Sequence, residues 1–230
     1  MRHVNTIFVC LAIILLALSA QAQQSSEQEQ LEKWFEGDND DEQKALQVNE
    51  GNLEFLTHLP KNKPIHTVTN TITISDDSLK TSWVKLHQCH KNLDPVALSE
   101  IVYKYHNMRN LRIEHYYGME KAWVENQTVQ MKEIDKGASV CIVADVQILM
   151  PTESGDYTLR NGPYFRKFLD GYYPFHVKLN INYPKSILTL KATTPREQNG
   201  FKVNDDNGML RMDALFEGKL MVEARFSQAH

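Results

Sequence analysis

The sequence predicts a mainly β fold: an antiparallel β-sandwich, built as one sandwich or as two packed β units, with little helix outside the N-terminal segments. Three observations carry this. From Asn52 onward, runs of β-branched and aromatic residues alternate with polar ones. Turn residues punctuate these runs at spacings of roughly 8–12 residues. And the body holds two cysteines, Cys89 and Cys141, an even pair suited to a single staple.

Residues 1–22 read as a secretory signal peptide. Arg2 supplies a positive start, Ile7–Leu18 is an unbroken apolar run, and Ala20-Gln21-Ala22 fits a small-x-small cleavage site. The run is short of the roughly 18–20 residues that span a bilayer, so cleavage after Ala22 is expected rather than anchoring. Cys10 leaves with this segment. In an oxidising compartment the remaining pair, Cys89 and Cys141, is expected to form a disulfide.

Residues 23–50 form an acidic leader. Nine carboxylates stand against Lys33 and Lys44, a net of −7. Gln, Ser and Glu dominate its start, a composition that favours a flexible tether. Leu31, Trp34 and Phe35 have the spacing of a short amphipathic helix within it. The β-rich body that follows is nearly neutral, which excludes a phosphate-binding mode based on clustered positive charge.

Residues 51–150 read as a first β-rich unit, and residues 151–230 as a second unit or a continuation of the same sandwich. Thr67–Ser75 alternates and ends at an Asp76-Asp77-Ser78 turn. Leu79–Cys89, Ser99–Tyr105, Leu111–Tyr117 and Ala122–Lys132 follow as strands. Asp135-Lys136-Gly137 reads as a turn before the strand Ala138–Met150. That strand puts Val140, Ile142, Ala144, Val146 and Ile148 on one face, with Cys141, Val143 and Asp145 on the other. Residues 162–169 suggest one or two helical turns. Phe175–Tyr183, Ile187–Thr193, Leu210–Leu215 and Lys219–Phe226 complete the strands, with a hairpin signal at Asn207-Gly208. Trp123 lies far from the first cysteine, so an immunoglobulin-type Cys–Trp–Cys arrangement is not expected.

Two clusters stand out chemically. Tyr164, Phe165, Phe168, Tyr172, Tyr173 and Phe175 fall within twelve residues, interleaved with charge. Tyr164, Phe168, Tyr172 and Tyr173 are the candidate ligand or partner surface, with core packing as the alternative. His87-Gln88-Cys89-His90 is the densest polar run. His87, His90 and His106 are the weak candidates for a metal, since imidazole suits zinc and copper, but no spacing matches a known zinc or haem motif. No nucleophile elbow, His-Glu-x-x-His or phosphate-cradling loop is present. Glu120, Glu125, Asp145 and Asp170 are the acids weighed as paired carboxylates.

The expectation is an exported, non-enzymatic β-sandwich protein of the periplasm or cell exterior that binds a protein or glycan partner. It requires no cofactor, no nucleic acid and no transmembrane segment in the mature chain. The alternatives are a secreted hydrolase acting on glycan or peptide with paired carboxylates, and a periplasmic metal-handling protein.

Overall fold

The computed structural model describes residues 49–58 and 64–229. The expected signal peptide, residues 1–22, and nearly all of the expected acidic leader, residues 23–50, lie outside them. In chain order the elements are β1 (Glu54–Phe55), β2 (Thr67–Thr73), α1 (Asp76–Thr81), β3 (Trp83–Lys91), β4 (Leu98–Val102), β5 (Met108–Glu125), β6 (Thr128–Gln147) and β7 (Leu149–Pro151). Then come β8 (Tyr157–Tyr164), β9 (Lys167–Phe168), β10 (Gly171–Tyr172), β11 (Phe175–Asn182), β12 (Leu188–Thr194), β13 (Phe201–Asp206), β14 (Met209–Glu217) and β15 (Leu220–Gln228). Among the described residues no helix is long and apolar enough to cross a membrane.

The strands form a sandwich of unequal sheets. Among the described residues the large sheet holds nine strands and runs from β14, flanked by β1 and β13, through β11, β2, β3 and β6. β5 lies along one side of β6, while β3 and then β4 share its other side. The small sheet is antiparallel in the order β12-β15-β8-β7. Alternation does the layering. Val68, Ile72, Leu86, Val140, Ile142, Val177 and Leu179 project from the large sheet into one core, where Leu159, Val222, Ala224 and Phe226 of the small sheet join them.

The β-sandwich expected from sequence is therefore present, with one refinement. The large sheet is mixed, because β2 and β11 pair in parallel. About a hundred residues separate these strands, so no tight hairpin dictates their direction. Strands from both halves of the body thus share one sheet.

Several local expectations are corrected. Asp76–Ser78 is not a simple turn; it begins α1. Ser75 caps that helix in a reciprocal box with Ser78, and Ser82 ends it in a left-handed conformation. The following strand accordingly starts at Trp83, not Leu79. The segment 122–132 is not one strand but holds the β5–β6 turn: Glu125 faces Thr128, and Asn126 takes the positive φ of 55° that a two-residue hairpin needs. Asp135-Lys136-Gly137 is a bulge inside β6 rather than a turn. Tyr117 faces Ser139 while Met119 already faces Ile134. The extra residues sit where β6 changes partner from β3 to β4, and Gly137 adopts a φ of 82° there. Residues 162–169 are not helical; they end β8 and form β9. β13 was not anticipated, its polar run Asn204–Asp206 masking an edge strand.

The expected disulfide is present. Cys89 and Cys141 face each other directly across β3 and β6, with Cα atoms 4.1 Å apart. It links neighbouring strands of one sheet, unlike the inter-sheet bridge of an immunoglobulin domain.

Candidate functional site

Strand parity places polar residues where apolar ones are expected. Asn70 shares the inward face of β2 with Val68 and Ile72, and Gln88 and His90 share that of β3 with Leu86. All three are buried. Opposite them, Asn161 and Tyr164 point inward from β8. A cleft of about 380 Å³ opens over this polar end of the core.

The cleft lies between two strand edges. Glu100, Ile101 and Val102 of β4 all line it, although successive residues point to opposite faces. The cleft therefore runs along the strand's backbone edge. Among the described residues β4 pairs only with β6, so this edge is unpaired. Gly162–Tyr164 of β8 line the far side. β7 covers β8 only at Tyr157–Leu159, which leaves the later part of that edge uncovered. Gly162 is required where it stands: with φ at 117°, a Cβ would lie 2.7 Å from the Leu220 carbonyl oxygen.

A hydrogen-bond chain crosses the cleft wall. Tyr103 Oη donates to Gln88 Oε1 at 2.7 Å, and His90 Nε2 contacts the same oxygen at 2.9 Å. A carbonyl oxygen only accepts, so His90 donates from Nε2, and as a neutral ring it accepts on Nδ1. His66 Nε2, 3.0 Å from that Nδ1, must then donate. Burial is what favours the neutral form of both rings. Burial lowers the His66 pKa to about 4, the nearby Arg166 adding to this against the pull of Asp94. Burial, then the neighbouring His66, pushes His90 well below the ordinary histidine range. His66 Nδ1 remains an acceptor, and its ring packs 4.8 Å from that of Phe175.

A second group adjoins the first. Asn161 Nδ2 donates to Tyr105 Oη at 3.0 Å, and Asn70 Nδ2 donates to Asn161 Oδ1 at 3.0 Å. Tyr164 Oη donates to Asn161 Oδ1 and accepts from Asn70. Asn70 Oδ1 is buried without a partner. Burial pushes the Tyr105 hydroxyl up to about 12 and raises Tyr103 and Tyr164 well above their usual value. The interior of the cleft is thus aromatic and polar but uncharged. Its charges, on Glu100, Lys104 and Lys167, sit on exposed residues.

The aromatic run divides. Tyr164 and Tyr172 are buried, as the core-packing alternative has it. Phe168 and Tyr173 are half-buried around Arg166, which stacks 5.0 Å from the Phe168 ring and 5.4 Å from that of Tyr173. Arg166 also holds Asp94 in a two-pronged pair, Nε–Oδ2 at 2.9 Å and Nη2–Oδ1 at 2.5 Å. This pair fastens the β9–β10 ribbon to the loop after β3.

The remaining candidates fall elsewhere. His87, Cys89, Cys141 and Asp145 lie on the outer face of the large sheet, where His87 and Asp145 line a second groove of about 320 Å³. Alternation separates His87 from His90, and His106 sits exposed in the loop before β5, so these three do not converge. Burial raises the Asp145 carboxyl, but Asn110, Lys85 and Arg109 together hold it below its usual value. Glu120 pairs with Lys132, and Asp170 accepts from Tyr173. Glu125 flanks the hairpin turn. Sequence reading missed Asn70, Gln88, Tyr103 and His66 as a group. The available signal was Asn70 standing between Val68 and Ile72 at apolar parity.

No known family model matches this chain, and no curated protein is similar to it in sequence.

Proposed function

We propose that the protein is an exported binding protein that captures an extended, uncharged segment of a partner polypeptide in the cleft between β4 and β8. The carrying observation is the unpaired β4 edge running along a cleft whose interior is aromatic and neutral. A peptide adds to such an edge through main-chain hydrogen bonds, and alternate side chains enter pockets beside it. Here those pockets are walled by Tyr103, Phe165 and Phe175. A charged side chain would lose its hydration without gaining an opposite charge, which disfavours acidic or basic segments. Export is supported by the signal-peptide pattern and by the Cys89–Cys141 disulfide. Glu100 is the one acid among the cleft's lining residues, which gives a paired-carboxylate hydrolase no support at this site.

A displayed library of random decapeptides tests the reading. Neutral, β-prone sequences should be enriched, and Ile101→Arg, which sets a charge in the cleft wall, should weaken their binding at least about tenfold. Lys202→Ala, on the far edge strand β13, should leave it unchanged. Peptides that bind the Ile101→Arg protein equally well would place the contact elsewhere. Cell fractionation with N-terminal sequencing should find the chain outside the cytoplasm, beginning at Gln23.

A further inference from the structure

The outer face of the large sheet carries a second, independent cluster. Residues 87 and 89 are two apart in β3, so His87 and Cys89 share that face. Cys141 lies directly opposite Cys89 in β6. Across β6 on the other side, His115 is the register partner of Cys141, and the irregularity between Ile113 and His115 leaves Glu114 as an extra residue. A bulge re-aims a side chain, and this one brings Glu114 to the outer face. Glu114 Oε2 stands 3.0 Å from His87 Nε2, and His115 Nδ1 lies 3.7 Å from the same oxygen. His87 Nε2 is 3.7 Å from Cys89 Sγ, and one ring nitrogen of His87, Cys89 Sγ and Cys141 Sγ all fall within 4.8 Å of one another.

Two of these separations approach the edges of a coordination tetrahedron, while Glu114 stands outside the group of His87, Cys89 and Cys141 whose ligand atoms all lie within 4.8 Å of one another. With metal bonds of about 2.0 Å to nitrogen or oxygen and about 2.3 Å to sulfur, adjacent ligands lie about 3.3 Å (N to O), 3.5 Å (N to S) and 3.8 Å (S to S) apart. The nitrogen–oxygen and nitrogen–sulfur edges are already near those lengths. The sulfur–sulfur edge is closed by the covalent bond. Breaking that bond would free two thiolates beside His87, and a turn of the exposed Glu114 side chain would bring a fourth ligand to them.

We propose that the Cys89–Cys141 bridge is a redox gate over a zinc site whose ligands are Cys89, Cys141, His87 and Glu114. A dithiol reductant donates two electrons and two protons. The sulfur–sulfur bond breaks, two thiols form, and the reductant leaves as its own disulfide. Zn²⁺ then displaces the two thiol protons to solvent and binds both thiolates. His87 ligates through Nε2 and keeps its proton on Nδ1, while the Glu114 carboxylate turns from the imidazole to the metal. His115 stays within reach to orient that carboxylate. A disulfide oxidant takes the two electrons back, leaves as its dithiol with two protons from solvent, restores the Cys89–Cys141 bridge and releases Zn²⁺, because disulfide sulfur is not a thiolate ligand. The site uses one residue, His87, of the three histidines, His87, His90 and His106, weighed from the sequence as weak metal candidates.

Zinc binding by the full chain carrying Cys10→Ser, purified without a polyhistidine tag, decides the matter. The protein is reduced on an immobilised dithiol so that no free thiol competes, and zinc is titrated against a chromophoric chelator. One zinc per reduced chain is expected and none per oxidised chain at the same free zinc. The thermal midpoint should rise with zinc in the reduced protein only. Cobalt in place of zinc should give thiolate charge-transfer absorption. His87→Ala and Glu114→Ala, both at exposed side chains, should each weaken binding at least about tenfold and leave the oxidised fold intact. Equal zinc stoichiometry in oxidised and reduced protein overturns the proposal. So does undiminished binding in the two variants, a result that does not depend on whether cysteine variants fold.

Discussion

β3 presents two faces of opposite character from one nine-residue stretch. Inward, Gln88 and His90 join a buried network with His66 and Tyr103. Outward, His87 and Cys89 stand one residue away in solvent-facing surroundings. The residue types are nearly the same; only parity differs. The inward histidines lose their ordinary protonation to burial and become fixed neutral hydrogen-bonding groups. The outward one keeps a carboxylate neighbour, Glu114. The inner face is held by packing and hydrogen bonds, and the outer by a covalent bond.

The covalent bond gives the largest test of that contrast. Replacing Cys89 and Cys141 together with alanine should lower stability by about 4 kcal/mol on the chain-entropy account of a loop this long, read as a lower urea midpoint. A negligible change would mean that the outer face is held as the inner one is. Acid comes next. His66 has a folded pKa of about 4 against an unfolded value near 6.5, so the unfolded state takes up protons first as pH falls. Stability should be constant above pH 6.5 and fall by about 3 kcal/mol from His66 alone on descending to pH 4, with His90 adding in the same direction. Urea unfolding at pH 7.5, 6, 5 and 4.5 traces this slope. A flat profile removes the neutral histidine pair. Arg166→Met severs the pair with Asp94, whose side chains are 19% and 29% exposed, and should destabilise by about 1–2 kcal/mol. Faster proteolysis of the β9–β10 ribbon would be its local signature. His87→Ala should shift stability by less than about 0.5 kcal/mol, since its side chain is 44% exposed. A larger loss would show the outer cluster to be structural.

Much of the strand inventory was legible because hydrophobic alternation survives in the sequence: Thr67–Thr73, Phe175–Asn182 and Leu220–Gln228 could be read nearly to their ends. The β5–β6 hairpin was not. A glycine-containing triplet at 135–137 resembles a turn more strongly than Asn126-Gln127 does. Only the partner change from β3 to β4 makes it a bulge. Gly162–Leu169 misled for a related reason: its aromatic spacing allows a helix, whereas β15 on one side draws the end of β8 into the small sheet. Of the candidate site, the parity of Asn70 was visible. Its meeting with Asn161 was not, since 91 residues separate them.

Sequence alone determined the β class and the cysteine pairing, because composition and period-two alternation are local properties. Tertiary structure alone decided that β2 and β11 run parallel and that the cleft opens along the edge of β4. It also decided that Glu114 swings out beside His87. Each depends on which distant strands become neighbours, and strand pairing is a choice among non-local contacts that alternation leaves open.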